Sequence, residues 1–236
     1  MMYLIGGPPR CGKTTVARAL APRLGCSWVP IDYLESVVYH YLPERERAEA
    51  LPLLEGGYDT IYATYAPDQI IEHYRRRART MWPAIQIFLH FALAQDQDFI
   101  LEGFHIEPAL MQAFTRPGEW PGASAAATSA HIAEMVTCGT AYALSHAHDE
   151  RIKVSFLYRE DVGAIFAGIQ RSTDTNEWAR SGTTETTTAL QVAEMVSAYS
   201  TSIHEEAVRL GLAAFSMDGD FQRQVGWVVA WIEAAP

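Results

Sequence analysis

Five short apolar runs recur along the chain, and a glycine, an acidic residue or another polar residue follows each of them. They cover residues 2–5, 27–31, 99–101, 152–158 and 212–217. Short apolar runs that are bounded by turn residues are typical of strands buried on both faces of a parallel sheet. The pattern therefore predicts five buried strands.

Helical patterns separate these runs. A helix is predicted to begin at Lys13 and to stop at Gly25. A longer one is predicted after residue 188, where apolar residues recur three or four positions apart. These residues are Val192, Val196, Tyr199, Ile203, Ala207 and Leu210. Alternating strands and helices predict one α/β domain with a parallel sheet covered on both faces, and 236 residues suffice for its core.

Three segments interrupt this alternation. Residues 33–97 are mostly helical in pattern, divided by prolines and glycines, and we interpret them as a helical insertion on the substrate side. Residues 115–150 are rich in Gly, Ala, Ser, Thr and Pro and predict a loop-rich insertion. Residues 171–188 are polar and predict a lid. The apolar stretch at 82–94 is too short and too polar to span a bilayer, so it predicts a buried helix.

Composition narrows the possible partners. The formal net charge of −10 disfavours nucleic-acid binding, which depends on neutralising phosphates. Three cysteines without a CxxC pair favour a reducing, cytoplasmic setting. The first apolar run begins at residue 2, so we expect no signal peptide and no membrane partner. The sequence does not indicate an oligomeric state.

The most specific motif lies at the first strand's end. Gly7, Pro8, Pro9, Arg10, Cys11, Gly12, Lys13 and Thr14 fit the P-loop pattern G-x-x-x-x-G-K-[ST], and Thr15 follows. Glycines let backbone N–H groups curl around phosphate oxygens, and the following helix adds the positive end of its dipole. Lys13 is predicted to contact the β- and γ-phosphates, and Thr14 to bind magnesium. The motif predicts ATP and Mg²⁺ as cofactors. Cys11 is expected to face outward as an incidental small residue.

In its order of motifs, the chain resembles the small P-loop kinases, which include shikimate kinase, chloramphenicol phosphotransferase, the zeta toxins and 2-phosphoglycerate kinase. The resemblance rests on residues 6–15, 31–32 and 101–103 and on the separated arginines Arg171 and Arg180. Residues 99–108 are most similar to the 2-phosphoglycerate kinase-like branch. The resemblance implies a three-layer P-loop NTPase-type fold with a five-stranded parallel sheet of order 2-3-1-4-5. It also implies a lid over the phosphates and a small-molecule hydroxyl as phosphoryl acceptor.

Two carboxylates follow predicted strands. Asp32 comes after the second strand, where ligands of open α/β sheets gather, and is a candidate base or orienting group for the acceptor. Its alternative role is to cap a helix that starts at Tyr33. Glu102 ends the third strand and is a candidate for holding magnesium or a magnesium-bound water. Its alternative role is to anchor backbone N–H groups in the turn at Gly103. The sequence leaves open whether the two acids exchange roles.

Basic residues supply further candidates. Arg171 and Arg180 flank the predicted lid and are candidates for stabilising charge on the transferred phosphoryl group, the alternative being solvated arginines. Arg75 and Arg79 lie four apart and are candidates for clamping an anionic acceptor, or else form a solvated helix face. His105 is a candidate for lining the acceptor pocket, and its alternative role is structural.

Together these features predict an ATP-dependent kinase that phosphorylates a hydroxyl group of a small molecule. Two alternatives stay open at this point. One is a P-loop nucleotide hydrolase, against which the chain offers no separate water-positioning switch segment. The other is a non-catalytic ATP-binding regulator or toxin-like protein.

Overall fold

The structure is a computed structural model that describes residues 1–51, 54, 56–115, 151–172 and 185–234 of the chain. Nearly all of the predicted loop-rich insertion at 115–150 lies outside the described residues. Most of the predicted lid at 171–188, including Arg180, also lies outside them. The ends of that lid segment are helical.

The described residues form one sheet of five strands, and every pairing in it is parallel. The strands are β1 Met2–Gly6, β2 Ser27–Pro30, β3 Phe99–Glu102, β4 Ile152–Tyr158 and β5 Ala213–Ser216. Their spatial order is β2-β3-β1-β4-β5. The predicted fold class and strand order are therefore confirmed, and all five strands end at the same edge of the sheet.

Helices connect the strands and cover both faces of the sheet. They are α1 Lys13–Leu24, α2 Ile31–Tyr41, α3 Glu44–Ala50, α4 Tyr58–Thr64, α5 Pro67–Ala94, α6 Pro108–Thr115, α7 Val162–Arg171, α8 Thr186–Leu210 and α9 Phe221–Glu233. Helix α1 starts and stops at glycines in the left-handed region, Gly12 with φ 87° and Gly25 with φ 64°. Its predicted bounds are confirmed.

The boundary between β2 and α2 differs from the predicted one. Strand β2 ends at Pro30, and α2 begins at Ile31 instead of Tyr33. Pro30 occupies the N-cap position of α2, which has no side-chain cap. Asp32 therefore lies inside the first turn, and the alternative that it caps this helix is wrong. A carboxylate there still faces the positive end of the helix dipole.

Four helices, α2 to α5, fill the segment between β2 and β3. The stretch at 82–94 lies in the last half of α5, where Trp82, Ile85 and Leu89 are fully buried. No helix within the described ranges combines the length and apolar character that crossing a membrane requires.

The core surrounds the sheet. In β1, Met2, Leu4 and Ile5 are almost completely excluded from solvent. Helix α8 packs on β4, β5 and α5, and its predicted apolar stripe from Val192 to Ala207 is buried. Helices α1 and α9 contact each other on the sheet. Helices that pack on the sheet thus hold the carboxyl end of β1 in place.

The turn that follows β1 depends on a glycine. Gly7 has φ 128°, and a Cβ atom there would lie 2.0 Å from the Leu157 carbonyl oxygen. Because that oxygen belongs to the backbone of a central strand, it has little freedom to move. Gly211 has φ 70° but open space around it, so it shares the positive φ without the close contact.

We therefore predict that Gly7→Ala lowers the free energy of unfolding by clearly more than Gly211→Ala, which should cost about 1–2 kcal/mol for the left-handed backbone alone. Urea unfolding of the two variants and the wild type measures the difference. Equal losses would show that the contact between Gly7 and Leu157 is unimportant.

Candidate active site

The P-loop follows β1 and turns sharply toward α1. Gly7, Arg10 and Gly12 all have positive φ, at 128°, 70° and 87°. A non-glycine residue in this region is uncommon and is found mostly in strained functional loops. At Gly12, a Cβ atom would lie 2.7 Å from the Phe221 ring, so α9 packs directly on the loop. The loop conformation therefore requires both glycines.

Lys13 and Thr14 begin α1 and point to different partners. Lys13 is 8% exposed, and its Nζ donates to the Pro8 carbonyl oxygen at 2.7 Å. The Thr14 hydroxyl donates to Glu102 Oε1 at 2.8 Å. The loop thus holds its ammonium group against its own backbone. The hydroxyl group is tied to the acid that ends β3.

Glu102 is 5% exposed, and its surroundings act on its ionisation in opposite directions. Burial raises the pKa of Glu102, and the positive charge of Lys13 and the hydrogen bond from Thr14 offset part of that rise. The negative charge of Asp32 raises it further. A cation bound at this carboxylate would favour the ionised form.

Asp32 lies at the same edge of the sheet as Glu102. Pro30 and Glu102 are partners in the register of β2 and β3, so α2 begins level with the end of β3. Asp32 is exposed, whereas Glu102 is buried. The structure thus brings the two predicted acids together and gives them different access to solvent.

A second buried acid, which the sequence analysis did not identify, lies one turn along α2. Glu35 accepts two hydrogen bonds from Arg77, from Nε at 2.8 Å and from Nη2 at 2.5 Å. His105 Nε2 lies 3.4 Å from Glu35 Oε2. Burial raises the pKa of Glu35, but the polar contact with His105 and the hydrogen bonds from Arg77 outweigh it, and this pKa falls to about 2. Glu35 is therefore ionised at neutral pH.

His105 itself is completely buried. Its ring stacks on Phe104 with centroids 3.8 Å apart, and the Arg77 guanidinium lies 4.9 Å from the Phe104 ring centroid. That His105 lines an acceptor pocket stays a prediction, and its side chain is closed off from solvent.

Among the described residues, Arg75 and Arg79 make their direct polar contacts with different side chains. Arg75 Nη2 donates to Ser202 Oγ at 2.7 Å on α8, and its Nε lies 3.6 Å from Glu107 Oε2. Arg79 pairs with Glu72 on the surface of α5. Their role as a joint clamp stays a prediction.

Two further arginines follow β4. Arg171, at the end of α7, is exposed and donates from Nε to the Ala167 carbonyl oxygen at 3.1 Å, within its own helix. The charge of Arg159 acts on Cys11 in the P-loop. Its backbone N–H donates to Ser200 Oγ at 3.0 Å, and its Nε is 3.6 Å from Asp218 Oδ1. The role of Arg171 over the phosphates is a prediction that its own contacts leave open.

The expectation that Cys11 faces outward is wrong. Cys11 is fully buried, with Sγ 3.6 Å from Ser200 Oγ and 3.7 Å from the Pro9 carbonyl oxygen. Burial raises the pKa of the Cys11 thiol. The physical reason is that α8 covers this side of the loop.

Glu107, five residues beyond Glu102, contacts side chains of two helices, α5 and α8. It is 4% exposed, accepts a hydrogen bond from the Tyr199 hydroxyl on α8, and faces Arg75 on α5. Burial raises the pKa of Glu107 to about 7, although Tyr199 and Arg75 act in the opposite direction. Because the folded-state pKa exceeds that of the unfolded chain, its contribution to stability is complete below about pH 4.5 and is lost as pH rises through about 7.

We predict that Glu107→Gln, which imitates the protonated acid, matches the wild type in stability near pH 5. At pH 8 the variant should be more stable by about 2–3 kcal/mol, an upper value for a shift of this size. Urea unfolding of both proteins across this pH range measures the difference. Parallel pH profiles would contradict the raised pKa.

No family model matches the chain. Over 113 residues it is 28% identical to mevalonate-3-phosphate 5-kinase of Thermoplasma acidophilum, and the match covers 47% of this chain and 54% of that protein. The chain thus spans about half the length of the curated relative it matches.

Two solved structures illustrate its likeness to known folds. Shikimate kinase from Bacteroides thetaiotaomicron is 11% identical with a TM-score of 0.46, covering 99% of this chain and 98% of that one. Deoxyadenosine kinase from M. mycoides is 12% identical with a TM-score of 0.43, covering both chains fully. Both solved structures, like the curated relative, carry the name of a kinase.

Proposed function

We propose that this protein is an ATP-dependent kinase that transfers the γ-phosphoryl group to a hydroxyl group of a small molecule, with magnesium as the metal. The observation that carries the proposal is the hydrogen bond between Thr14 and Glu102 at the start of a P-loop helix. The hydroxyl and the carboxylate that it joins are both oxygen ligands suited to Mg²⁺, which supports a metal ion beside the bound phosphates.

Lys13 is the cation of the loop. Its hydrogen bond to the Pro8 carbonyl oxygen keeps the ammonium group within reach of the space that the loop encloses. When nucleotide binds, the phosphate oxygens would replace that carbonyl as its partner. Lys13 would then offset the negative charge that develops between the β- and γ-phosphates in the transition state.

Asp32 suits the acceptor side. It is exposed at the carboxyl edge of the sheet, so an acceptor hydroxyl can reach it. It would take the hydroxyl proton as the oxygen attacks the γ-phosphorus, and ADP would leave with the electrons of the broken bond. Glu102, buried and bonded to Thr14, suits the metal side. Arg171, Arg180, Arg75 and Arg79 remain proposed as further cations for the phosphoryl group or the acceptor.

Product analysis tests the reaction class. An ATP-consumption screen over hydroxyl-bearing metabolites should find an acceptor that is required for ADP formation and that gains one phosphate by mass. Equal ADP and free phosphate without any acceptor would instead indicate a hydrolase. Tight ATP binding without turnover in the full screen would indicate a regulator.

We predict that Lys13→Ala loses the rise in melting temperature that ATP and magnesium give the wild type. The chain has only one other lysine, Lys153, whose Nζ donates to the Trp231 carbonyl oxygen far from the loop. Lys153→Ala is therefore the matched control and should keep the nucleotide response. Full stabilisation of Lys13→Ala by ATP would exclude this site for the nucleotide.

We predict that Asp32→Asn lowers turnover about 10²-fold or more through the loss of general-base help, while ATP affinity stays nearly unchanged. Asp68→Asn is the control, since Asp68 is also exposed in the first turn of a helix, α5. Glu102→Gln should instead shift the magnesium dependence of the rate. Undiminished turnover in Asp32→Asn would reject the base assignment, and a magnesium shift confined to that variant would reverse the two roles.

A further inference from the structure

Asp32 and Glu35 share one face of α2. They lie three residues apart, which on a helix brings two side chains to the same side. His105 comes three residues after Glu102, at the end of the strand that pairs with β2. His105 therefore follows β3 at the edge of the sheet where α2, with the two carboxylates, begins.

The three side chains converge. One ligand atom from each, a carboxylate oxygen of Asp32, a carboxylate oxygen of Glu35 and a ring nitrogen of His105, lies within 4.8 Å of the other two. Two donors that each bind one ion at about 2.0–2.3 Å lie at most about 4.6 Å apart, so the three side chains are already close to the separation that a single ion requires.

His105 supplies an independent observation. Its side chain is completely buried, yet neither ring nitrogen has a hydrogen-bond partner among the described residues. Glu35 Oε2 lies 3.4 Å from Nε2, a polar contact that does not meet hydrogen-bond geometry. A buried polar group without a partner is costly, and native proteins rarely leave one unsatisfied. A ligand between His105 and the two acids would satisfy it.

We propose that Asp32, Glu35 and His105 bind one divalent transition-metal ion, zinc or manganese in class. Two carboxylate oxygens with an imidazole nitrogen form a mixed donor set, whereas magnesium and calcium prefer oxygen alone. Three protein ligands also leave at least one coordination position open to water or to a bound molecule. This site lies beside the Thr14–Glu102 pair but shares no ligand with it.

Arg77 fits this site as an orienting group. It holds Glu35 through two hydrogen bonds, and an ionised carboxylate has lone pairs beyond the two that Arg77 uses. Outer partners of this kind fix the direction of a metal-binding carboxylate. Two acids against one guanidinium also leave a net negative charge for the cation to neutralise.

The proposal concerns metal binding alone and does not depend on the proposed kinase activity. A magnesium ion at a P-loop is held largely by nucleotide phosphates, so nucleotide-free protein isolates the new site. The experiment is isothermal titration of the full chain, stripped with EDTA and free of nucleotide, with zinc chloride, manganese chloride and magnesium chloride in turn.

One equivalent of zinc or manganese should bind the wild type, and magnesium much more weakly. Asp32→Asn should weaken binding at least about tenfold, and Arg77→Lys about 10–100-fold, as the loss of an orienting partner does at known sites. Asp68→Asn should bind like the wild type. His105→Gln should also weaken binding, but Asp32 is exposed, so the Asp32 variant decides the question if His105→Gln does not fold.

Three results would overturn the proposal. The first is the absence of zinc or manganese binding at millimolar metal. The second is binding that Asp32→Asn leaves unchanged, which would place the ion on other histidines or cysteines. The third is magnesium binding as tight as that of zinc, which would mean that the imidazole is not a ligand.

Discussion

The register between β1 and β3 is the constraint on which the site depends. Ile5 pairs with Glu102, and the N–H of Gly103 donates to the Ile5 carbonyl oxygen at 3.2 Å. A slip of one residue would turn the Glu102 side chain to the other face of the sheet. Thr14 could then no longer reach it. The same strand also fixes the second acid, because Pro30 of β2 pairs with Glu102 and α2 starts immediately afterwards.

Helix α8 supports this arrangement from the other side. Tyr199 and Ser200 are consecutive and completely buried, and each places its hydroxyl group against a different part of the site. Tyr199 bonds Glu107 after β3, whereas Ser200 approaches Cys11 in the P-loop and accepts from the Arg159 N–H after β4. One apolar helix thus connects three loops through its few buried polar groups. A shift of α8 would change all three loops together.

The sequence predicted what local signals determine. The strands and α1 follow from apolar runs, glycine positions and the P-loop spacing, whereas the strand order was implied by the resemblance to the small P-loop kinases. The predicted start of α2, Tyr33, was two residues late, because Ile31 suits the end of a strand as well as the start of a helix. The predicted orientation of Cys11 was wrong because its burial depends on Ser200, 189 positions away. No sequence pattern near the loop indicates that contact.

The pairing of Arg77 with Glu35 likewise depends on contacts between residues distant in the sequence. Residues 75–77 are three successive arginines, and each is turned by about 100° from the last on a helix. The spacing of Arg75 and Arg79 is visible in the sequence, but the rotation of α5 is set by its buried apolar face. That rotation directs Arg77, not its neighbours, to Glu35.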